Sequence, residues 1–364
     1  MTLPALRIGL EPGYDGVRFG AWVLDVPGAF GSATSRELAV SQSGAALGWF
    51  RDWVARHGEP FEASFGFAEV VEEVPASVVA GYERNATFAE DSRPVADDEL
   101  ATALRRLDFA RTDLLALVPR LAAVDRSDTG AEQRHPDEVL RHLGGAETWL
   151  GSRLDASARF DGPSRNGDPL EYLAATRTWA VGNLRRLHDE DAAPRTDGKG
   201  ESWTLRKVVR RYVYHSVDHL RELDLRLARA EGRADRLAFR DDHLDDPAPL
   251  ARLLRSVGWD RRAEDLDRLR AMLAGSPVTV TAWDGDELVG FAREHGDRVV
   301  NSVISMVCVD PRWQGLGIAD RLVRSLTDGR DGVRISLHAA GGMQPYYARL
   351  GFEPDPAAMV RRRG

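Results

Sequence analysis

The hydrophobic period of this chain changes twice. Near the N-terminus the apolar residues Leu6, Ile8 and Leu10, then Val17, Phe19, Trp22 and Leu24, recur in strand fashion across the turn-rich Glu11 to Gly16. Beyond residue 97 the spacing becomes helical. Leu100, Leu104, Leu107, Ala110, Leu114, Leu117 and Leu121 mark one amphipathic face, and Val139, Leu140, Leu143, Ala146, Leu150 and Leu154 mark a second. Further helices are expected from about Pro169 to His188 and from Leu205 to Ala230. In the last third strands return at Val278–Ala282, Glu287–Arg293, Ser302–Val309 and Val333–His338, mixed with helices. At 364 residues the chain exceeds one ordinary domain, and two or three are expected. The reading is a multidomain α+β chain: a small ββαβ unit over 1–78, a linker over 79–96 that contains Ser92-Arg93-Pro94, an antiparallel four-helix bundle over 97–235, and a mixed-sheet α/β domain over 236–364.

Composition removes several classes of function. A net charge of -8 gives no overall attraction to phosphate backbones or anionic bilayers, so neither nucleic acid nor membrane is expected as a partner. One cysteine, Cys308, rules out an intramolecular disulfide and a cysteine-only metal site, and suits a reducing interior. Met1 to Leu10 lacks the pattern of a signal peptide, and Leu38 to Phe50 falls short of the roughly 20 apolar residues that span a bilayer. A cytoplasmic location is expected, and a homodimer stays open.

In the first unit a hairpin is expected before a helix capped by Thr34 or Ser35 that stops at His57-Gly58, with a third strand at Ala68 to Val74. This order, with Asp15-Gly16 and Val26-Pro27-Gly28 in their places, resembles the HicB-like domain over about residues 3–76. Such antitoxins usually add a DNA-binding segment, whereas the next segment of this chain is a different domain, so the resemblance implies no repressor role. The plain alternative is a packing or docking module.

His215 and His219 stand four apart on the expected fourth helix, so both project from one face. His142 lies on the second helix, which an antiparallel bundle can bring opposite them. Residues 97–232 resemble the DinB-like four-helix bundles, in which one histidine on the second helix and a His-x-x-x-His on the fourth hold a divalent metal. The resemblance implies a metal at His142, His215 and His219. Imidazoles suit zinc, nickel or iron, and three of them leave coordination positions for water or a thiolate. Relatives resembling mycothiol- or bacillithiol-dependent transferases use such a metal to lower a thiol pKa. Glu147 is a candidate support, and histidines that pack without metal are the alternative. His135 and His188 are expected to be solvated.

The strand Ser302–Val309 ends at Asp310-Pro311, and a Gly-rich turn, Gln314-Gly315-Leu316-Gly317-Ile318-Ala319, feeds a helix. Such a turn aims several backbone N–H groups at one point, which favours an anion. Gly315 and Gly317 allow close approach of a pyrophosphate. With Gln314, Gly317 and Ala319 in place, and Tyr347 followed by Gly351-Phe352, the segment from Leu237 on resembles the GNAT acyltransferases.

The resemblance implies acetyl-CoA as cofactor, bound at the pyrophosphate by the amides of Gln314, Gly315, Leu316, Gly317, Ile318 and Ala319. It places the pantetheine arm along Val307, Cys308 and Val309, and makes Tyr347 the general acid for the departing thiolate. The alternative for Tyr347 is an aromatic residue that covers the core. Ala340 stands where many members carry Asn, and the Ser302–Val309 strand has no Glu, which leaves Glu294 or water as base. Cys308 reads as a small buried strand residue.

Three functions are implied, in order. The first is acetyl transfer to a small-molecule amine acceptor. The second is a metal-dependent thiol S-transferase with the last domain secondary, and the third is a non-enzymatic CoA-responsive scaffold.

Overall fold

Asp15 and Gly16 both take positive φ, 52° and 76°, and so close a tight hairpin between β1 (Leu6–Tyr14) and β2 (Arg18–Val23). The computed structural model describes residues 3–61, 63–123, 135–241 and 243–359. β2 continues into β3 (Phe30–Ala33), and α1 (Arg36–Arg56) then crosses the sheet to β4 (Ala68–Glu73). The order is β3-β2-β1-β4, with β4 parallel to β1 and the other pairs antiparallel. The first unit is therefore βββαβ rather than ββαβ. β3 escaped because Gly31 sits where a Cβ would meet the backbone of Ala39 and Ser43, so close helix packing replaces the alternation of side chains. Ser35, not Thr34, caps α1, and Leu47, Phe50, Trp53 and Val54 bury its inner face.

The segment expected as a linker is folded. β5 (Ser77–Val79) and β6 (Tyr82–Arg84) form a hairpin, after which Phe88 is buried and Asp91 meets Arg210 at 2.7 Å. Arg210 belongs to α5 (Leu205–Ala230), so this stretch pins the first unit to the helices.

α2 (Asp97–Ala123), α3 (Pro136–Gly151) and α4 (Pro169–Asp189) complete a four-helix group with α5. Asp168 and Thr204 cap α4 and α5 by accepting amide hydrogen bonds. Neighbours are not all antiparallel as expected. Thr176 donates to Glu147 and Asn183 to the Gly151 carbonyl, so α3 and α4 run parallel, and Arg206–Glu99 with Arg120–Glu231 makes α2 and α5 parallel. The connection 152–168 is long enough to return the chain and so permits this direction. The loop before α5 is the hairpin of β7 (Arg195–Thr196) and β8 (Ser202–Trp203), held by Asp197 accepting from the amides of Lys199 and Glu201.

The last part contains β9 (Ala238–Arg240), α6 (Pro247–Ser256), α7 (Asp260–Ala263), α8 (Leu266–Ala274), β10 (Val278–Asp284), β11 (Glu287–Gly296), β12 (Asn301–Val309), α9 (Ile318–Thr327), β13 (Arg334–Leu337) and α10 (Gln344–Ala348). The sheet order is β13-β12-β11-β10-β9, antiparallel except for β12 with β13. Gly285, at φ 60°, forms the turn between β10 and β11. β9 was not expected, since three residues carry no periodic signal, and no strand follows α10 among the described residues. Ile304, Leu322 and Val323 pack on the α9 side, and Leu250, Leu254, Leu273, Phe291 and Cys308 on the α6–α8 side. Among the described residues no helix is long and apolar enough to cross a membrane.

Candidate functional site

β12 and β13 pair only from Asn301↔Arg334 to Ile304↔Leu337. From Ser305 to Val309 the edge of β12 that faces β13 has no ladder partner among the described residues. The departure coincides with an irregularity against β11 between Phe291 and Arg293, where Met306 takes φ 55°. Val307, Cys308 and Val309, expected to carry an extended arm, therefore lie along an open edge able to pair with another chain of amides.

That edge runs into the turn. Gly315 and Gly317 have φ 79° and 77°, conformations that glycine takes without steric cost, and Gly317 is the N-cap of α9. Among the described residues the backbone amides from Gln314 to Ala319 find no acceptor. The Gln314 side chain turns back and donates to the Val309 carbonyl at 2.9 Å, which ties the turn to the strand end. A concentration of unsatisfied N–H groups at a helix N-terminus is an anion site.

Tyr347 stands on α10 and packs edge-on against Phe352 and Tyr346, half-buried at the margin of the α9-side core. Burial raises its pKa, with the Cys308 thiol as a smaller contribution, so the phenol stays protonated and able to donate. Cys308 is buried and its thiol is pushed up to about 12, chiefly by desolvation. It is a packing residue that does not supply a thiolate at neutral pH. Glu294 is not a free base. Its fully buried carboxylate meets Arg330 at 2.6 Å and Arg298 at 3.4 Å, contacts that sequence spacing could not reveal.

On the helical group, His142 of α3 meets His215 and His219 of α5. One ring nitrogen from each lies within 4.8 Å of the others, and the Nε2 atoms of His142 and His215 are 3.0 Å apart. Tetrahedral Zn–N bonds of about 2.0–2.1 Å set ligand atoms roughly 3.3 Å apart; the His142–His215 separation is close to that, and the His219 nitrogen lies within 4.8 Å of both. Nδ1 of His219 lies 2.7 Å from a Glu222 carboxylate oxygen, which leaves Nε2 for a ligand role. Glu222 was overlooked in the sequence although its i+3 spacing from His219 was legible. Glu147, the candidate support, is instead engaged by Arg111, Arg177 and Thr176. His135 caps α3 and His188 bonds the Val95 carbonyl, so neither is simply solvated.

Residues 258–364 match the sequence model of the acetyltransferase (GNAT) domain family. An uncharacterised N-acetyltransferase ycf52 of Pyropia yezoensis is 30% identical over 134 residues, 34% of this chain and 76% of that one. The chain belongs to the GNAT family through its last third. A ycf52-like N-acetyltransferase of Prochlorococcus marinus is 36% identical over 120 residues, covering 30% of this chain and 64% of that protein. Serotonin N-acetyltransferase 2 of Oryza sativa is 37% identical over 125 residues, covering 31% and 60%. The chain thus spans less than two thirds of the length of the Prochlorococcus and Oryza relatives. Among solved structures, a GNAT-family acetyltransferase of Streptococcus pneumoniae covers 35% of this chain and 98% of its own, at 22% identity and a TM-score of 0.31.

The turn is also contacted from outside the GNAT domain. Arg229 of α5 donates through Nε and Nη2 to the Gly315 carbonyl at 3.3 and 3.2 Å, and a Cβ on Gly315 would touch Leu225 and Arg229. Sequence reasoning missed Arg229, because nothing local marks a helix residue that meets a turn 86 positions away.

Proposed function

We propose that the protein is an N-acyltransferase that moves acetyl from acetyl-CoA to the amine of a small-molecule acceptor. The observation that carries this reading is the open edge of β12 beyond Ile304 running into a turn whose amides lack acceptors among the described residues. The cofactor brings an acetyl thioester. The amides of Gln314, Gly315, Leu316, Gly317, Ile318 and Ala319 receive the pyrophosphate at the positive end of α9. Val307, Cys308 and Val309 offer backbone groups to the pantetheine amides, and the Gln314–Val309 bond keeps edge and turn in register. The acceptor nitrogen bonds to the acetyl carbon as the C–S bond breaks, Tyr347 gives its phenolic proton to the thiolate, and the amine proton leaves to water.

The histidine cluster favours a second function beside the first. We read His142, His215 and His219 as ligands of a divalent metal, zinc, nickel or iron, with Glu222 fixing the His219 ring. Such a metal would supply Lewis acidity toward water or a thiol in a DinB-like thiol transfer.

Acetyl-CoA titration and turnover against an amine panel, with metal analysis of the purified chain, test both. Tyr347→Ala should abolish acetyl transfer while His219→Ala leaves it; the reverse outcome makes the thiol-transfer reading primary. Failure of the wild type to bind acetyl-CoA would sink the first.

A further inference from the structure

Along β11, alternate residues facing α6–α8 run Phe291, Arg293, His295. Phe291 and Arg293 lie opposite Cys308 and Ser305 of β12, and His295 opposite Val303. The first pair is apolar core, but beyond it the stripe turns polar. Three side-chain atoms there are buried without a hydrogen-bond partner: Arg293 Nε, His295 Nδ1 and Ser305 Oγ. Buried polar atoms are nearly always satisfied, so three orphans on adjoining strands mark a place that a polar ligand completes.

The charge of the place is one-sided. Arg293 donates from Nη1 to Ser276 Oγ at 3.0 Å, and among the described residues no carboxylate lies within ion-pair reach of it. Its guanidinium is destabilised first by burial and then by Arg262 of α7, which itself lies over the Trp259 ring. Burial and Arg293 also press His295 below its ordinary value, which leaves a neutral imidazole. The adjoining Glu294 points away, into its pairs with Arg330 and Arg298. A half-buried guanidinium with no carboxylate partner among the described residues, beside a hydroxyl and an imidazole, suits a carboxylate or phosphate group.

Position ties this charge to the reaction. Ser305 is the first residue past the end of the β12–β13 ladder, and Met306 beside it makes the irregularity. The cluster therefore stands at the apex of the opening into which, on the proposed acetyl-transfer reading, the thioester end of the arm runs. We propose that the acceptor is an amine carrying an anionic group, carboxylate or phosphate, which Arg293 receives beside Ser305 and His295. This rests on the acetyl-transfer reading and adds the chemical class of its substrate.

The test uses the full chain, acetyl-CoA and matched acceptors: amino acids against their amides, and amino sugar phosphates against the parent amino sugars. The anionic member is expected to have a KM at least about tenfold lower. Arg293→Gln is expected to remove that preference by raising the KM of the anionic member about tenfold, with little change in its kcat. Which pair responds separates carboxylate from phosphate. Equal or better use of neutral members, or a variant that shifts both members alike, overturns the inference. If no pair is turned over, titration of the acetyl-CoA complex with sodium sulfate decides: saturable binding weakened in Arg293→Gln supports it, and no saturable binding overturns it. Absence of acetyl-CoA binding in the wild type is a separate result that removes the underlying reading.

Discussion

Arg229, in the last turn of α5, holds the carbonyl oxygen of Gly315 at 3.2 Å, so a helix of the four-helix group fixes one peptide of the GNAT turn. Because a trans peptide is planar, anchoring this carbonyl toward α5 sends the Leu316 amide the opposite way. The same helix carries His215, His219 and Glu222, between two and four turns earlier. Arg229→Ala is expected to weaken acetyl-CoA binding. The guanidinium is exposed, so a net loss of about 0.5–1.5 kcal/mol, or roughly two- to tenfold in Kd, is the scale. Calorimetric titration of variant and wild type reads it, and an unchanged Kd would show that the turn holds its shape unaided.

Tyr347→Phe keeps the ring that packs on Phe352 and removes only the proton donor. A fall in kcat of about 10²–10⁴ is expected with little change in acetyl-CoA binding. The sign of the pH dependence follows from its raised pKa. An acid works while protonated, so the alkaline loss of kcat due to this group should begin above the ordinary phenol value near 10. A wild-type alkaline limb near neutral pH that survives in Tyr347→Phe belongs to another group.

Much of this was legible because long helices repeat their signal. α2 and α5 announce themselves over seven or more turns, and the His215–His219 spacing fixes one face whatever the tertiary context. The turn at Gly315–Gly317 was legible because positive φ demands particular residues. β3 and β9 were not, since four residues around Gly31 and three at Ala238–Arg240 show no period. The parallel run of α3 and α4 depends on the path of the connection 152–168, which composition leaves open. Glu294 resembled a base only while Arg330, 36 positions on, was out of view.

Glu222→Gln keeps the shape of the side chain but weakens its hold on His219 Nδ1–H. On the metal reading, affinity for zinc should fall about 10–100-fold, measured by competition with a chromogenic chelator. His142→Ala should lose more, since it removes a ligand. Equal zinc affinity in wild type, Glu222→Gln and His142→Ala would mean that the three imidazoles form a hydrogen-bonded cluster and nothing else.

Two glycines of α1 separate packing from propensity at the junction with the GNAT domain. A Cβ on Gly48 would overlap the carbonyl of Ser256 in α6, whereas a Cβ on Gly44 would rest at 3.6 Å from the Val257 carbonyl, ordinary contact. Helix propensity alone would favour alanine at both by about 1 kcal/mol. Gly44→Ala should therefore leave stability unchanged or raise it. Gly48→Ala must push α1 off α6, straining the Arg51–Asp260 pair at 3.0 Å beside it, and should cost about 1–3 kcal/mol. Denaturant unfolding of the two variants reads the difference. If Gly48→Ala proves as stable as Gly44→Ala, the first unit does not seat on α6 in solution.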